Sequence, residues 1–129
     1  MKNETRRKIL VIEDDEDIAL SLAELLEDVG YEVEKASNGL VAIKSLEKSL
    51  ENSDNLPSLI ILDLMMPVMD GRSFRNEQVK NSKLREIPVV VMSADGNVER
   101  KIAETGAAGY LKKPVNIDDI IKTLETFVL

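Results

Sequence analysis

Asp63 closes the stretch LIILD (residues 59–63), four aliphatic side chains followed by a carboxylate. A continuous apolar run of this kind is the pattern of a strand covered on both faces, where an ionised group is costly unless a cation or a capping donor meets it. Glu13 and Asp14 follow a second such run, ILVI (residues 9–12), while Ser93 and Lys113 end two more, PVVVMS (residues 88–93) and AAGYLKK (residues 107–113). If the first and third strands are neighbours, about 4.8 Å apart, Glu13, Asp14 and Asp63 converge. Three carboxylates that close repel one another unless a cation sits among them. They offer only oxygen, which selects a hard ion, and magnesium suits them because it takes one or two carboxylates and keeps several waters. Calcium fits less well, since neither DDEDIAL nor DGRSFRNE follows the D-x-[DN]-x-[DN]-G pattern of an EF-hand loop.

A serine hydroxyl and a lysine ammonium at the same end complete the parts for phosphoryl transfer to Asp63. The carboxylate is the nucleophile, the metal and lysine offset charge on the phosphoryl oxygens, and the hydroxyl bonds one of them. Taken singly, Ser93 and Lys113 read as solvated strand ends. Asp15, Glu16 and Asp17 read as acids that cap the following helix and favour its dipole.

Composition removes the main competitors. The 129 residues suit a single domain, 1–129 with its core at about 8–127, and contain no cysteine and no histidine. The Cys and His ligands that zinc prefers, the serine and cysteine triads and any histidine phosphorylation within the chain are thereby excluded. A net charge of -7 argues against direct contact with nucleic acid, and the short RRK at 6–8 reads as a solvated terminus. No apolar stretch approaches a membrane span, and MKNETRRK lacks a signal-peptide core, so the expected location is the cytoplasm.

The elements that position these residues follow from periodicity. Beside the four apolar runs stands a weaker strand, YEVEKA (residues 31–36). Ile18, Leu22, Leu25, Leu26 and Val29 recur at helical spacing up to Gly30. Further helices are expected over 38–50, after Gly71, over about 97–105 up to Gly106, and through Ile117, Ile120, Ile121 and Leu124. Strand and helix alternate five times, which predicts a parallel sheet with helices on both faces and ligands at the carboxyl ends of the strands.

Taken together, VIEDDED, LIILDLMMPVMDG, VVVMSA and GAAGYLKKPV resemble the receiver domain of bacterial two-component response regulators, from about residue 8 to 127. The resemblance implies a CheY-like, flavodoxin-like (βα)5 three-layer sandwich with strand order 2-1-3-4-5. Asp63 then matches the phosphoacceptor. Glu13 and Asp14 match the acidic pair that holds magnesium with Asp63 and the backbone carbonyl of Met65, Asp14 being the more direct ligand of the pair. Ser93 matches the hydroxyl that closes on the phosphoryl group, Lys113 the phosphate-binding lysine before a commonly cis Pro114, and Tyr110 the aromatic switch. The implied donor is a histidine kinase or histidine phosphotransfer protein. The implied output is altered affinity for an unidentified protein at the surface of the fourth helix, fifth strand and fifth helix, by a monomer or weak homodimer. On this reading the chain catalyses only its own phosphorylation and dephosphorylation, the latter tuned by Met65 and Asp95.

Some positions depart from the pattern. Glu13 stands where aspartate is common, which suggests that it reaches the metal through water, and Val115 stands where an aromatic residue is frequent. Pro67, Asp70 and Gly71 have turn, cap and helix-entry roles on backbone grounds alone, and Met65, Met66 and Met69 suit a partner-binding surface. Two alternatives remain. A phosphatase of the haloacid dehalogenase type needs a second aspartate two residues after the nucleophile, where this chain has Met65. A scaffold that never takes phosphate would lack the aspartate, hydroxyl or lysine, and all three are present.

Overall fold

A computed structural model describes residues 7–51, 56–64, 69–94 and 96–128. Five strands, β1 (Lys8–Ile12), β2 (Glu32–Ala36), β3 (Leu59–Asp63), β4 (Val89–Ser93) and β5 (Gly109–Lys112), form one parallel sheet in the order β2-β1-β3-β4-β5. This is the expected order. Six helices accompany them: α1 (Glu16–Asp28), α2 (Gly39–Leu50), α3 (Gly71–Gln78), α4 (Ser82–Arg85), α5 (Val98–Thr105) and α6 (Ile117–Phe127). None of the described helices is long and apolar enough to cross a membrane.

Alternation along the strands builds two cores. Leu10, Ile12, Ile60, Leu62, Val89 and Val91 point to one face, where Ala42, Ile43 and Leu46 of α2 and Phe74 of α3 cover them. Ile9, Val11, Leu59, Ile61, Val90 and Met92 point to the other, beneath Leu22 and Leu26 of α1 and Ile120 and Leu124 of α6. Strands β1, β3 and β4 are covered on both faces, which is why they are apolar except at their ends, where Lys8, Asp63 and Ser93 stand. Edge strand β2 is more exposed and carries Glu32, Glu34 and Lys35.

Helix entries follow the capping residues. Asp15, Asn38, Asp70 and Asn116 each accept backbone N–H groups at the start of α1, α2, α3 and α6. The exits after α1 and α5 use Gly30 at φ 103 and Gly106 at φ 69, both in the left-handed region that favours glycine.

Helix α4 was not expected, so the fourth and fifth helices of the sequence reading are α5 and α6. It is a single turn capped by Asn81, with Leu84 as its buried side chain. A polar network holds it. Fully buried Gln78 donates to the carbonyls of Leu84 (2.7 Å) and Ile87 (3.1 Å), and its own Oε1 accepts from Arg75 Nη1 at 2.6 Å. Arg75 also donates to the carbonyls of Thr105 and Gly106, so one side chain ties α3 to the end of α5.

Candidate functional site

Parallel register aligns the carboxyl ends of the central strands. Ile12 lies beside Leu62, Asp63 beside Met92 and Ser93 beside Lys112, so Glu13, Asp63, Ser93 and Lys113 emerge at one edge. Glu13, Asp63 and Ser93 are only 3%, 2% and 2% exposed, whereas Asp14 faces solvent. Ligand oxygens of Glu13, Asp14 and Asp63 lie within 4.8 Å of one another. The expected convergence of the three acids is therefore present.

Lys113 reaches into this cluster. Its Nζ stands 2.9 Å from Glu13 Oε1 and 3.3 Å from Asp63 Oδ2. Burial works against the ammonium, but the close approach of Glu13 and Asp63 outweighs it and holds Lys113 above its ordinary value. Burial likewise pushes the Glu13 carboxyl up to about 7, with the neighbouring Asp63 adding to the effect and Lys113 opposing it. Glu13 Oε2 accepts from the Asp15 N–H at 3.2 Å, while buried Oε1 faces the Lys113 ammonium at 2.9 Å. A cluster of three carboxylates that offers only oxygen, with two of the acids buried, fits a hard divalent cation.

The hydroxyl and aromatic positions are linked through the backbone. The Ser93 carbonyl accepts from the Lys113 N–H at 3.0 Å and from the Tyr110 hydroxyl at 3.2 Å. Tyr110 is half-buried against the core layer of α2 and α3. Pro114 follows a cis peptide bond, as the resemblance implied.

Other sequence expectations meet the structure unevenly. Asp70 caps α3 through Ser73, and that bond holds its carboxyl below the usual range. Met69 is half-buried and packs against the α2–α3 side of the core. Met65, Met66, Pro67 and Asp95 lie outside the described residues. A mostly apolar groove of about 460 Å³, lined by Ile18, Leu22, Leu25, Ala94, Pro114 and Val115, flanks the site and was not foreseen.

A doubly wound α/β sandwich with acids and a lysine at its switch point is thus the class of protein the coordinates define. Residues 9–125 match the family described as the response regulator receiver domain, and the chain belongs to that family. The transcriptional regulatory protein PrrA of Mycobacterium bovis is 32% identical over 126 residues, covering 96% of this chain and 51% of PrrA. The chain thus spans about half the length of that relative. The structure of chemotaxis protein CheY4 from Vibrio cholerae superposes with a TM-score of 0.83 at 30% identity, over 96% of this chain and 100% of CheY4. The Mn(2+)-bound form of response regulator Rcp1 matches with a TM-score of 0.73 at 31% identity, over 94% and 93% of the two chains.

Proposed function

We propose that this receiver domain is a phosphorylation switch in which Asp63 accepts a phosphoryl group from a phosphohistidine of a partner kinase or phosphotransfer protein. An Asp63 oxygen attacks phosphorus, the P–N bond breaks, and the electron pair leaves with the imidazole, giving an aspartyl phosphate. Glu13, Asp14 and Asp63, with the carbonyl of Met65, would hold Mg2+, whose role when bound is to offset charge on the phosphoryl oxygens. The Mn(2+)-bound state of Rcp1 supports a divalent ion in a relative. Lys113 stays charged beside the acceptor and orients the incoming group. The Ser93 hydroxyl bonds a phosphoryl oxygen.

Output follows from the shared carbonyl. Tyr110 and Lys113 both bond the Ser93 backbone, so drawing Ser93 toward the phosphoryl group moves the partner of the Tyr110 hydroxyl. Tyr110 then resettles, and the surface of α5, β5 and α6 changes its affinity for an output protein. The domain is read as one unit over residues 1–129. It works in the cytoplasm as a monomer or weak homodimer.

The observation that carries this reading is the meeting of buried Asp63 and Glu13 at the Lys113 ammonium. Acetyl phosphate and Mg2+ are expected to add one phosphoryl group by intact mass, with little adduct for Lys113→Ala and none after chelation. Equal labelling of wild type and Lys113→Ala would remove the role given to the lysine, and no labelling of wild type beside a receiver that does label would remove the switch.

A further inference from the structure

Both carboxylate oxygens of Glu13 are engaged by this chain. Oε2 accepts from the Asp15 N–H at 3.2 Å, and Oε1 stands 2.9 Å from the Lys113 ammonium, closer than the 3.3 Å between that ammonium and Asp63 Oδ2. The main chain of Glu13 is pinned as well, its N–H donating to the Ala36 carbonyl at 3.0 Å. Lysine is among the side chains that lose most rotamer freedom when held in one place. The Lys113 side chain is 21% exposed, against 1% for Glu13 and 3% for Asp63. Buried Glu13 is therefore the fixed end of the pair, and the lysine is what it fixes.

We propose that Glu13 is a positioning residue for phosphoryl transfer: it holds the Lys113 ammonium beside Asp63 before the phosphoryl group arrives. This deepens, and rests on, the acceptor role proposed above for Asp63. A cation that must meet charge on the phosphoryl oxygens acts best when it is already in place. Reach is what glutamate supplies. Aspartate at this position would set its carboxylate back by about one C–C bond, roughly 1.5 Å, and the bond to the Ala36 carbonyl keeps the main chain from following. The contact with Lys113 then opens beyond hydrogen-bond range. Two roles for Glu13 are thereby separable. One that only offsets the charge of a cation needs the carboxylate, which aspartate keeps, whereas one that holds Lys113 needs the length, which glutamine keeps.

The test ranks wild type, Glu13→Gln and Glu13→Asp at pH 8 by the limiting rate of labelling with acetyl phosphate at saturating Mg2+, read by intact mass. Side-chain NMR signals of Lys113 in the metal-free proteins are recorded alongside. Glu13→Asp is expected to label roughly tenfold more slowly than wild type, a loss that more Mg2+ does not recover, and Glu13→Gln to fall between the two. The Lys113 signals should move toward those of exposed lysines in Glu13→Asp and stay near wild type in Glu13→Gln. Should Glu13→Asp not fold, Glu13→Ala takes its place, and equal rates and equal Lys113 signals for the glutamine and alanine proteins overturn the proposal. The reverse ranking, with Glu13→Asp faster than Glu13→Gln, overturns it too, as do unchanged Lys113 signals in Glu13→Asp. If wild type takes no phosphoryl group beside a receiver that does, the switch reading itself fails and this inference with it.

Discussion

Titrating the metal-free protein from pH 5 to pH 8 is expected to weaken it, because the Glu13 carboxyl is pushed by burial from an ordinary 4.5 up to about 7. In the unfolded chain the group returns to its ordinary value, so between about pH 4.5 and 7 the folded state binds more protons than the unfolded state. Stability from the protonated carboxyl is fully present below that window and is lost as pH rises through it. Lys113 keeps its charge throughout. At about 1.4 kcal/mol for each pH unit, the shift bounds the loss at roughly 3 kcal/mol, and coupling to Lys113 and Asp63 brings it to about 1 to 3 kcal/mol. With a urea slope of about 1.5 kcal/mol per molar, the midpoint should fall by about 1 M. Glu13→Gln should remove this slope. Mg2+ should raise the wild-type midpoint more at pH 8 than at pH 5, because the ion binds the deprotonated acid. The comparison of urea midpoints between wild type and Glu13→Gln across this range isolates the group from other titrations. Parallel curves for the two proteins would refute the reasoning.

Other perturbations have defined directions. Arg75→Ala removes bonds to the carbonyls of Thr105 and Gly106 and to Gln78; a loss of about 2 kcal/mol in urea unfolding is expected, with faster amide exchange at the end of α5. Gly71→Ala forces a Cβ to 2.6 Å from Leu64 Cδ2 and should cost about 1 to 3 kcal/mol by thermal unfolding. Tyr110→Phe deletes the donor to the Ser93 carbonyl at a cost of about 1 kcal/mol. Binding of an output partner by this variant should then respond less to phosphorylation.

The sheet was legible because β1, β3 and β4 are buried on both faces and therefore continuously apolar, while β2 and β5 betray their edge positions by charge. Glu13, Asp63, Ser93 and Lys113 could be brought together because parallel register makes the last residue of each strand a neighbour of the next. What stayed hidden lacks a period. Helix α4 is one turn in a polar stretch, with one buried side chain and a cap for its sequence signal. The Arg75–Gln78 network joins residues whose partners lie up to 31 positions away, and polar side chains at such separation announce nothing locally.

The central claim is that the acyl phosphate forms on Asp63 and nowhere else. Borohydride reduction of the phosphorylated protein followed by peptide mass spectrometry should convert residue 63 alone to homoserine, with no conversion when Mg2+ is withheld. Conversion at Asp14 or another acid instead, or labelling that persists in Asp63→Asn at the wild-type level, would contradict the account.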